Sequence, residues 1–419
     1  MNRIIFLVPS YYPNFCAVGH CAYRVQKCLA DEWDITVIAA RNDRSQPLDE
    51  LHEGARILRI ETSSMKRINA LAGVKGRIAD ARRVIVRAQG ALRRLLAPVT
   101  IDKSLVAAYR SGLNALDLPP SAIVPLVFPF EAVIAALDYK KDNPGTIVIP
   151  YLFDNFVDSQ SLHVLKLARR LKRARHIELE RRMLLEANAI LSMRPLRQHL
   201  ETFFSKHLLT KVSYLEHPLL FPVDRQKRRP HDGKVLLCYT GSLVRKVRQA
   251  DYLLYLLKTI QPSISVRADF FVMGNDTRKV RTVKLPSGVE VVNHGYVTKS
   301  EADAAVRDAD ILINIGETQG KQVSSKIFEY MATGKPIIHL SYTKNDAVFD
   351  ILEKYPLALC LIQDKTCLAR NAQTLTRFIE QHRSSEISYD EVQSIYPDAC
   401  PEMTARVFRK NIHSYIRYI

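Results

Sequence analysis

Short runs that are apolar at nearly every position recur along this chain, each followed by a helical stretch. A strand with water on one face alternates apolar and polar residues. A strand that is apolar throughout must be covered on both faces, and parallel sheets sandwiched between helices provide that cover. In the first half the runs are 4–8, 34–39, 55–60, 122–127, 146–151 and 189–192, with helices expected over 23–30, 131–142 and 161–187. In the second half the same grammar restarts with strands at 234–239, 268–273, 289–292, 311–315 and 336–340 and helices at 250–260, 300–309 and 325–333. Pro218, Pro222 and Pro230, with the polar run 224–233, read as the linker between halves. Two doubly wound domains facing a cleft are expected. They are residues 1–220, residues 221–400 and a closing helix over 401–419 that docks on one of them, with Phe408, Ile412, Tyr415, Ile416 and Ile419 as its apolar stripe. In such sheets ligands bind beyond the carboxyl ends of the strands.

Charge narrows the partners. The 419 residues carry 61 Lys+Arg against 43 Asp+Glu, a formal net charge of +18. Residues 61–97 hold nine basic and two acidic side chains, and residues 161–182 hold eight and two. In the first segment Leu71, Val74, Ile78, Ala81, Ile85, Ala88, Leu92 and Leu95 form an apolar helical stripe flanked by Arg77, Arg82, Arg83, Arg87, Arg93 and Arg94. Such a helix either packs its stripe on the core or rests on an anionic membrane surface. Nucleic acid is disfavoured, because no aromatic residue for base stacking lies in 61–97. The apolar run at 4–8 is too short for a signal peptide, and no stretch reaches the length of a membrane-spanning helix. Seven scattered cysteines without a CxxC pair argue against a zinc site or a disulfide framework. A cytoplasmic protein is expected.

The chain lacks a GxGxxG turn, a Walker A loop, a GxSxG elbow and an HExxH helix. The richest segment is residues 322–338. There Ser325 is expected to cap a helix carrying Lys326, a point charge for a phosphate. Glu329 lies one turn on and can accept bonds from two ribose hydroxyls; Gly334 ends the helix. A plain solvated Lys–Glu pair is the alternative.

This segment resembles the nucleotide-binding signature of GT-B glycosyltransferases, especially glycosyltransferase family 4 and its relatives. The S-K-x-x-E-Y-x-A-x-G-K-P pattern is matched by Ser325, Lys326, Glu329, Tyr330, Ala332, Gly334, Lys335 and Pro336. The resemblance extends to Gly241 and Ser242 as the glycine turn after the first strand of the second domain. Arg245, Lys246 and Arg248 correspond to basic side chains on the donor diphosphate. Gly274 and the turn His294-Gly295-Tyr296-Val297 correspond to the base pocket. In the first domain Gly19 and His20 resemble the glycine loop over the donor phosphates, and Asp154 falls in a D-x-W-like segment without its tryptophan. Relatives often carry a second glutamate eight residues before the ribose-binding one; here that position is Lys321, with Glu317 nearby off register.

The resemblance implies transfer of a sugar from a nucleoside diphosphate sugar to an acceptor hydroxyl, with Asp154 as a general base where the enzyme inverts. Asp154 and His20 are the catalytic candidates; Asp154 also reads as a helix cap or loop carboxylate, and His20 as a structural loop histidine. No cofactor is expected, and no metal: Asp308 and Asp310 precede a strand and so belong at the opposite sheet edge. With the basic segments, the acceptor implied is a glycan, most simply polyprenyl-diphosphate-linked, made for cell-surface polysaccharide at the inner face of the membrane. A sugar-nucleotide 2-epimerase of the same architecture and a non-enzymatic basic membrane-surface protein are the rivals.

Overall fold

The structure is a computed structural model. It describes residues 3–70, 81, 84–85, 88–90, 95, 97–157, 159, 166–223, 233–260, 263, 265–281, 284–318, 320 and 323–416. The chain divides into two compact units, Met1–Pro218 with Pro401–Ile419, and Leu219–Cys400.

Among the described residues the first unit has nine strands: β1 (Arg3–Val8), β2 (Asp34–Ala40), β3 (Asp49–His52), β4 (Ala55–Ile60), β5 (Ala122–Val127), β6 (Ile147–Val148), β7 (Tyr151–Leu152), β8 (Ile190–Met193) and β9 (Val212–Leu215). Their order is β3-β4-β2-β1-β5-β7-β8-β9, with β6 beside β5. β1 runs parallel to β2 on one side and to β5 on the other, Ile4 lying opposite both Ile35 and Ala122. The chain therefore winds outward in both directions from β1, and the strands read as wholly apolar sit in the middle, where helices cover both faces. Ile5, Leu7, Ile38, Ile123 and Val148 pack there with Val133 and Ala136 of the Phe130–Asp142 helix. Edge strand β3 pairs antiparallel with β4; it is polar, and Leu51 is exposed. Its sequence carries no apolar pattern, which is why it escaped the periodicity.

The closing helix Pro401–Ile416 packs in this first unit. Phe408 meets Phe6 and Tyr151 edge-on at 6.3 and 5.6 Å, and the Tyr415 hydroxyl donates to the Asn188 carbonyl at 2.6 Å. Ile419 lies outside the described residues.

The second unit holds β10 (Val235–Ser242), β11 (Val266–Met273), β12 (Val289–Asn293), β13 (Ile311–Ile315), β14 (Ile337–Ser341) and β15 (Ala358–Ile362). The order is β12-β11-β10-β13-β14-β15, and every pair is parallel. One face of this sheet (Leu237, Tyr239, Phe270, Ile313) packs on Leu253 and Leu257 of the Asp251–Thr259 helix and on Leu375 and Ile379 of the Leu368–His382 helix.

One sequence expectation needs correction, and two others are met only in part by the described residues. The first helix spans Ala17–Lys27, so Gly19 and His20 are helical and not in a loop. The Cys16 thiol accepts from the Gly19 N–H at 3.4 Å and starts the helix early. A Cβ on Gly19 would lie 2.1 Å from the Ser10 carbonyl oxygen, so glycine is what lets the β1 loop close onto the helix. The 61–97 stripe does not pack on the core where it is described: after the Ser63–Ala70 helix, Ala81, Ile85, Ala88 and Leu95 are all exposed. Leu71, Val74, Ile78, Leu92 and all six flanking arginines lie outside the described residues, as does most of the expected linker, 224–232. Of the expected 161–187 helix, Lys166–Glu186 is helical, and residues 161–165 lie outside the described residues. Among the described residues no helix is long and apolar enough to cross a membrane.

Candidate functional site

The central strand of the second unit, β10, delivers Thr240, Gly241 and Ser242 to the carboxyl edge of its sheet. The Thr240 N–H donates to the Tyr330 hydroxyl at 3.2 Å, and the two side-chain oxygens are 2.9 Å apart. Burial holds the Tyr330 phenol far above its ordinary pKa, so it stays protonated and pins the Lys326–Ala332 helix against the strand end. Lys326 therefore sits beside the β10 turn. Its Nζ donates to Thr240 Oγ1 at 3.4 Å, and a Cβ on Gly241 would lie 3.8 Å from it. Burial lowers the Lys326 pKa. Glu329 and Asp303 act against that, and Lys299 and Arg248 add to it. An ammonium held this way gains from any anion placed beside it. Ser325 precedes the helix in helical conformation and makes no side-chain capping bond, contrary to its expected role.

Glu329 follows Lys326 by one turn. Its Oε2 accepts from Lys299 Nζ at 2.9 Å, and Lys299 also donates to Asp303 Oδ1 at 2.7 Å. Lys299 opens the Lys299–Asp308 helix, whose start is fixed by a reciprocal capping box between Thr298 and Glu301. Sequence reading missed Lys299; the Thr298-x-x-Glu301 pattern was the signal that would have found it. The signature's second lysine has a different place. Lys335 is buried, and its Nζ donates to the carbonyls of Val306, Arg307 and Ala309, at 3.1 Å and 2.6 Å for the first and last. It closes the carboxyl end of the same helix. Gly334, at φ +74°, lets the Ile387 carbonyl come within 2.1 Å of where a Cβ would stand.

After β10 the chain makes a tight loop closed by paired backbone bonds between Val244 and Arg248, at 2.9 and 2.8 Å, with Lys246 at φ +66° near its tip. Arg245 and Lys246 are exposed. Arg248 is half-buried, and its Nε has no hydrogen-bond partner among the described residues. Burial, against the Arg248 charge, pushes the neighbouring Tyr239 phenol up to about 12. Gly274 permits the same kind of close approach: a Cβ there would lie 2.1 Å from the Leu243 carbonyl oxygen. The His294 ring stacks on Phe271 at 4.3 Å, with Nε2 3.4 Å from Asp269 Oδ2. Gly295 turns the chain at φ +72°, Tyr296 is exposed and Val297 half-buried. Glu317, in the loop after β13, is buried, and Lys321 lies outside the described residues. Asp310 Oδ2 accepts from the Leu236 N–H at 2.8 Å, at the starts of β10 and β13, which is the sheet edge opposite Lys326.

In the first unit Asp154 follows β7 and is half-buried; burial raises its carboxyl pKa. The adjacent Asn155 reaches His199 Nδ1 at 2.9 Å, and His199 Nε2 meets Glu180 Oε2 at 2.8 Å. His20 is buried in its helix, where Arg24 Nε donates to its Nε2 at 3.3 Å.

Residues 234–377 match the family model described as "Glycosyl transferases group 1", and this range contains every candidate residue of the second unit. Over this range, in the second unit, the chain matches a glycosyltransferase family. Solved structures share its fold over nearly the whole length. A sucrose-phosphate synthase from Thermosynechococcus elongatus matches with a TM-score of 0.63 at 13% identity, covering 99% of this chain and 100% of the other. An E. coli "Trehalose-6-phosphate" structure bound with UDP-2-fluoro glucose matches with a TM-score of 0.60 at 9% identity, covering 98% and 99%. The lipopolysaccharide outer core galactosyltransferase WaaB matches with 0.52 at 10%, covering 98% and 99%. No curated protein sequence matches the chain.

Gly241, Lys326 and Glu329 are thus brought together, with Lys299 added to them. Gly19 and His20 form part of the first unit's helical packing, and Asp154 stands on a separate loop of that unit. Among the described residues no group of three or more His, Cys, Asp or Glu side chains is arranged to hold a metal ion.

Proposed function

We propose that this glycosyltransferase takes its sugar from a nucleoside diphosphate sugar held at the carboxyl edge of the second sheet, and passes it to an acceptor hydroxyl. The observation that carries this reading is the pairing of Lys326, beside the β10 turn, with Glu329 one turn further along the helix. The ammonium meets the diphosphate and the carboxylate accepts ribose hydroxyls. Arg245, Lys246 and Arg248 supply further positive charge for the leaving diphosphate, so the transfer proceeds without a metal or other cofactor. Gly274, His294, Tyr296 and Val297 line the base, and Ser242, Glu317 and Ser325 belong to the same loop cluster.

Asp154 takes the proton of the acceptor hydroxyl. The acceptor oxygen bonds to the anomeric carbon as its bond to the diphosphate breaks, and the nucleoside diphosphate departs. The acceptor is a polyprenyl-diphosphate-linked glycan for cell-surface polysaccharide, met by a peripheral enzyme at the cytoplasmic membrane face. The concentrated basic charge supports this, as do Leu167 and Leu171, exposed one turn apart on the Lys166–Glu186 helix. The matched WaaB structure is itself a lipopolysaccharide galactosyltransferase.

Titration of the protein with UDP, GDP, ADP and CDP tests the donor site. One should bind, and Glu329→Ala should weaken it about tenfold or more while leaving pyrophosphate unaffected. Unchanged affinity removes the site. Turnover should persist in excess chelator; loss restored by magnesium or manganese overturns the metal-free reading.

A further inference from the structure

The basic loop that follows β10 is anchored by three other loops. Asn275, after β11, accepts the Arg245 N–H on its Oδ1 at 2.9 Å. Thr318, after β13, donates its N–H to the Val247 carbonyl at 2.9 Å and its hydroxyl to the Lys246 carbonyl at 3.1 Å. Tyr342, after β14, accepts the Gln249 N–H on its hydroxyl at 3.0 Å. The anchors thus come from the carboxyl ends of three different strands, and each of these bonds engages backbone of the 245–249 segment. None of them uses a basic side chain. Arg245 and Lys246 are exposed, as is Thr318 itself, so replacing Thr318 leaves the core untouched.

The anchoring matters most at the tip. Lys246 stands at φ +66°, in the left-handed region that side-chain-bearing residues seldom adopt. Backbone keeps such a conformation where its surroundings fix it. The paired bonds between Val244 and Arg248 close the loop, and Thr318 holds the tip through the Lys246 carbonyl itself. Adjacent cations also repel one another, so a loose loop would spread the Arg245 and Lys246 charges. A fixed loop has them in place before charge develops on a departing diphosphate, where preorganised charge costs no reorganisation. We propose that Thr318 is a positioning residue of the donor site, whose hydroxyl holds the loop in the conformation that presents Arg245 and Lys246 to the second phosphate of the donor. This rests on the reading of that loop as a diphosphate contact. Thr318 acts through the loop and not on the phosphate, so its removal should lower the preference for diphosphate over monophosphate and spare nucleotide binding in general.

The test uses the full chain. Whichever of UDP, GDP, ADP and CDP binds most tightly is compared with its nucleoside monophosphate by calorimetry. The proteins are wild type, Thr318→Val, Thr318→Ser, the neutralised pair Arg245→Gln with Lys246→Gln, and that pair combined with Thr318→Val. Wild type should favour the diphosphate, and the neutralised pair should lose about tenfold of that preference, since bonds to charged groups have that worth. Thr318→Val should lose about threefold or more with monophosphate affinity unchanged, and Thr318→Ser, which keeps the hydroxyl, should retain the wild-type ratio. On the neutralised pair Thr318→Val should cost nothing further, because the loop it holds has lost its charges. An unchanged ratio in Thr318→Val, with the ratio lost in the neutralised pair, overturns the inference and leaves the loop reading standing. So does a loss that Thr318→Ser shares, a parallel fall in both affinities, or a loss that repeats in full on the neutralised pair, which would put the hydroxyl on the phosphate itself. A ratio intact in the neutralised pair, or a wild type that binds none of the nucleotides, overturns both the inference and the loop reading.

Discussion

In the second unit Thr240, Lys326, Glu329, Lys299 and Tyr330 reach one another from a strand end and two helices, through contacts of 2.9–3.4 Å. The first unit has a sheet of the same kind and uses its polar groups otherwise. His20 lies inside a helix bonded to Arg24, and Asp154 follows β7 beside an Asn155–His199–Glu180 chain. Both units obey the doubly wound rule. What differs is that one gathers its polar groups at a single strand end, several of them from the stretch 325–336, while the other spreads them over separate elements. The proposed diphosphate and ribose recognition suits the first arrangement, and the proposed acceptor the second, where loops change without disturbing the sheet.

The contrast is broken most sharply at Asp154. If it is the general base, Asp154→Asn should lower kcat by about 10²–10⁴-fold with nucleotide affinity unchanged. The pH sign follows from burial, which raises the carboxyl pKa. A base works ionised, so the rate should fall as pH drops through that raised value, at a higher pH than an ordinary carboxylate would give. Steady-state rates across pH should show this acid limb in wild type. A variant with undiminished turnover would place the base elsewhere and leave the first unit without a catalytic group.

Within the second unit the comparison narrows to two lysines of one signature. Lys335→Met removes the donor to three helix-end carbonyls and should cost about 2–4 kcal/mol of stability, read from denaturant unfolding. Lys326→Met should leave stability equal or higher at neutral pH, because burial lowers its pKa and the buried charge opposes folding there. It should instead weaken nucleoside diphosphate binding about tenfold or more. In wild type that binding should weaken as pH rises through the depressed Lys326 pKa, below the pH at which an ordinary lysine titrates. If Lys335→Met loses the nucleotide and keeps its stability, the assignments of the two lysines are exchanged.

The sheets were legible because central parallel strands must be apolar on both faces, as 4–8, 122–127 and 311–315 are. β3 was not, since an edge strand need not be buried. Lys326 and Glu329 were legible from spacing: positions i and i+3 share a helix face. Their third partner was hidden because Lys299 is 30 residues from Glu329, and only the fold brings its helix across. Gly19 was legible as a close approach and misread in its setting, because a thiol is an uncommon helix cap. Ser325 was misread for the opposite reason, a good capping residue that the observed backbone does not use.

The remaining effect is expected at the surface of the first unit, where much of the basic charge in the Lys166–Glu186 helix is already engaged. Arg182 is paired with Asp138 and Glu186, Arg173 and Arg181 lie over Phe203 and Phe204, and Lys172 is buried. Arg170 and Arg175 remain exposed, alongside Leu167 and Leu171. Each basic side chain near an anionic surface contributes about 1 kcal/mol. The variant Arg170→Gln, Leu171→Gln, Arg175→Gln should therefore weaken co-sedimentation with phosphatidylglycerol-containing vesicles by one to two orders of magnitude, about. Nucleotide affinity should hold, since none of the three lies in the second unit. Wild-type binding should also fall with added salt, because exposed charges are screened over about 8–10 Å at moderate ionic strength. Equal binding of wild type to neutral and anionic vesicles would remove the electrostatic basis for a lipid-linked acceptor and leave a transferase whose acceptor need not lie at a membrane.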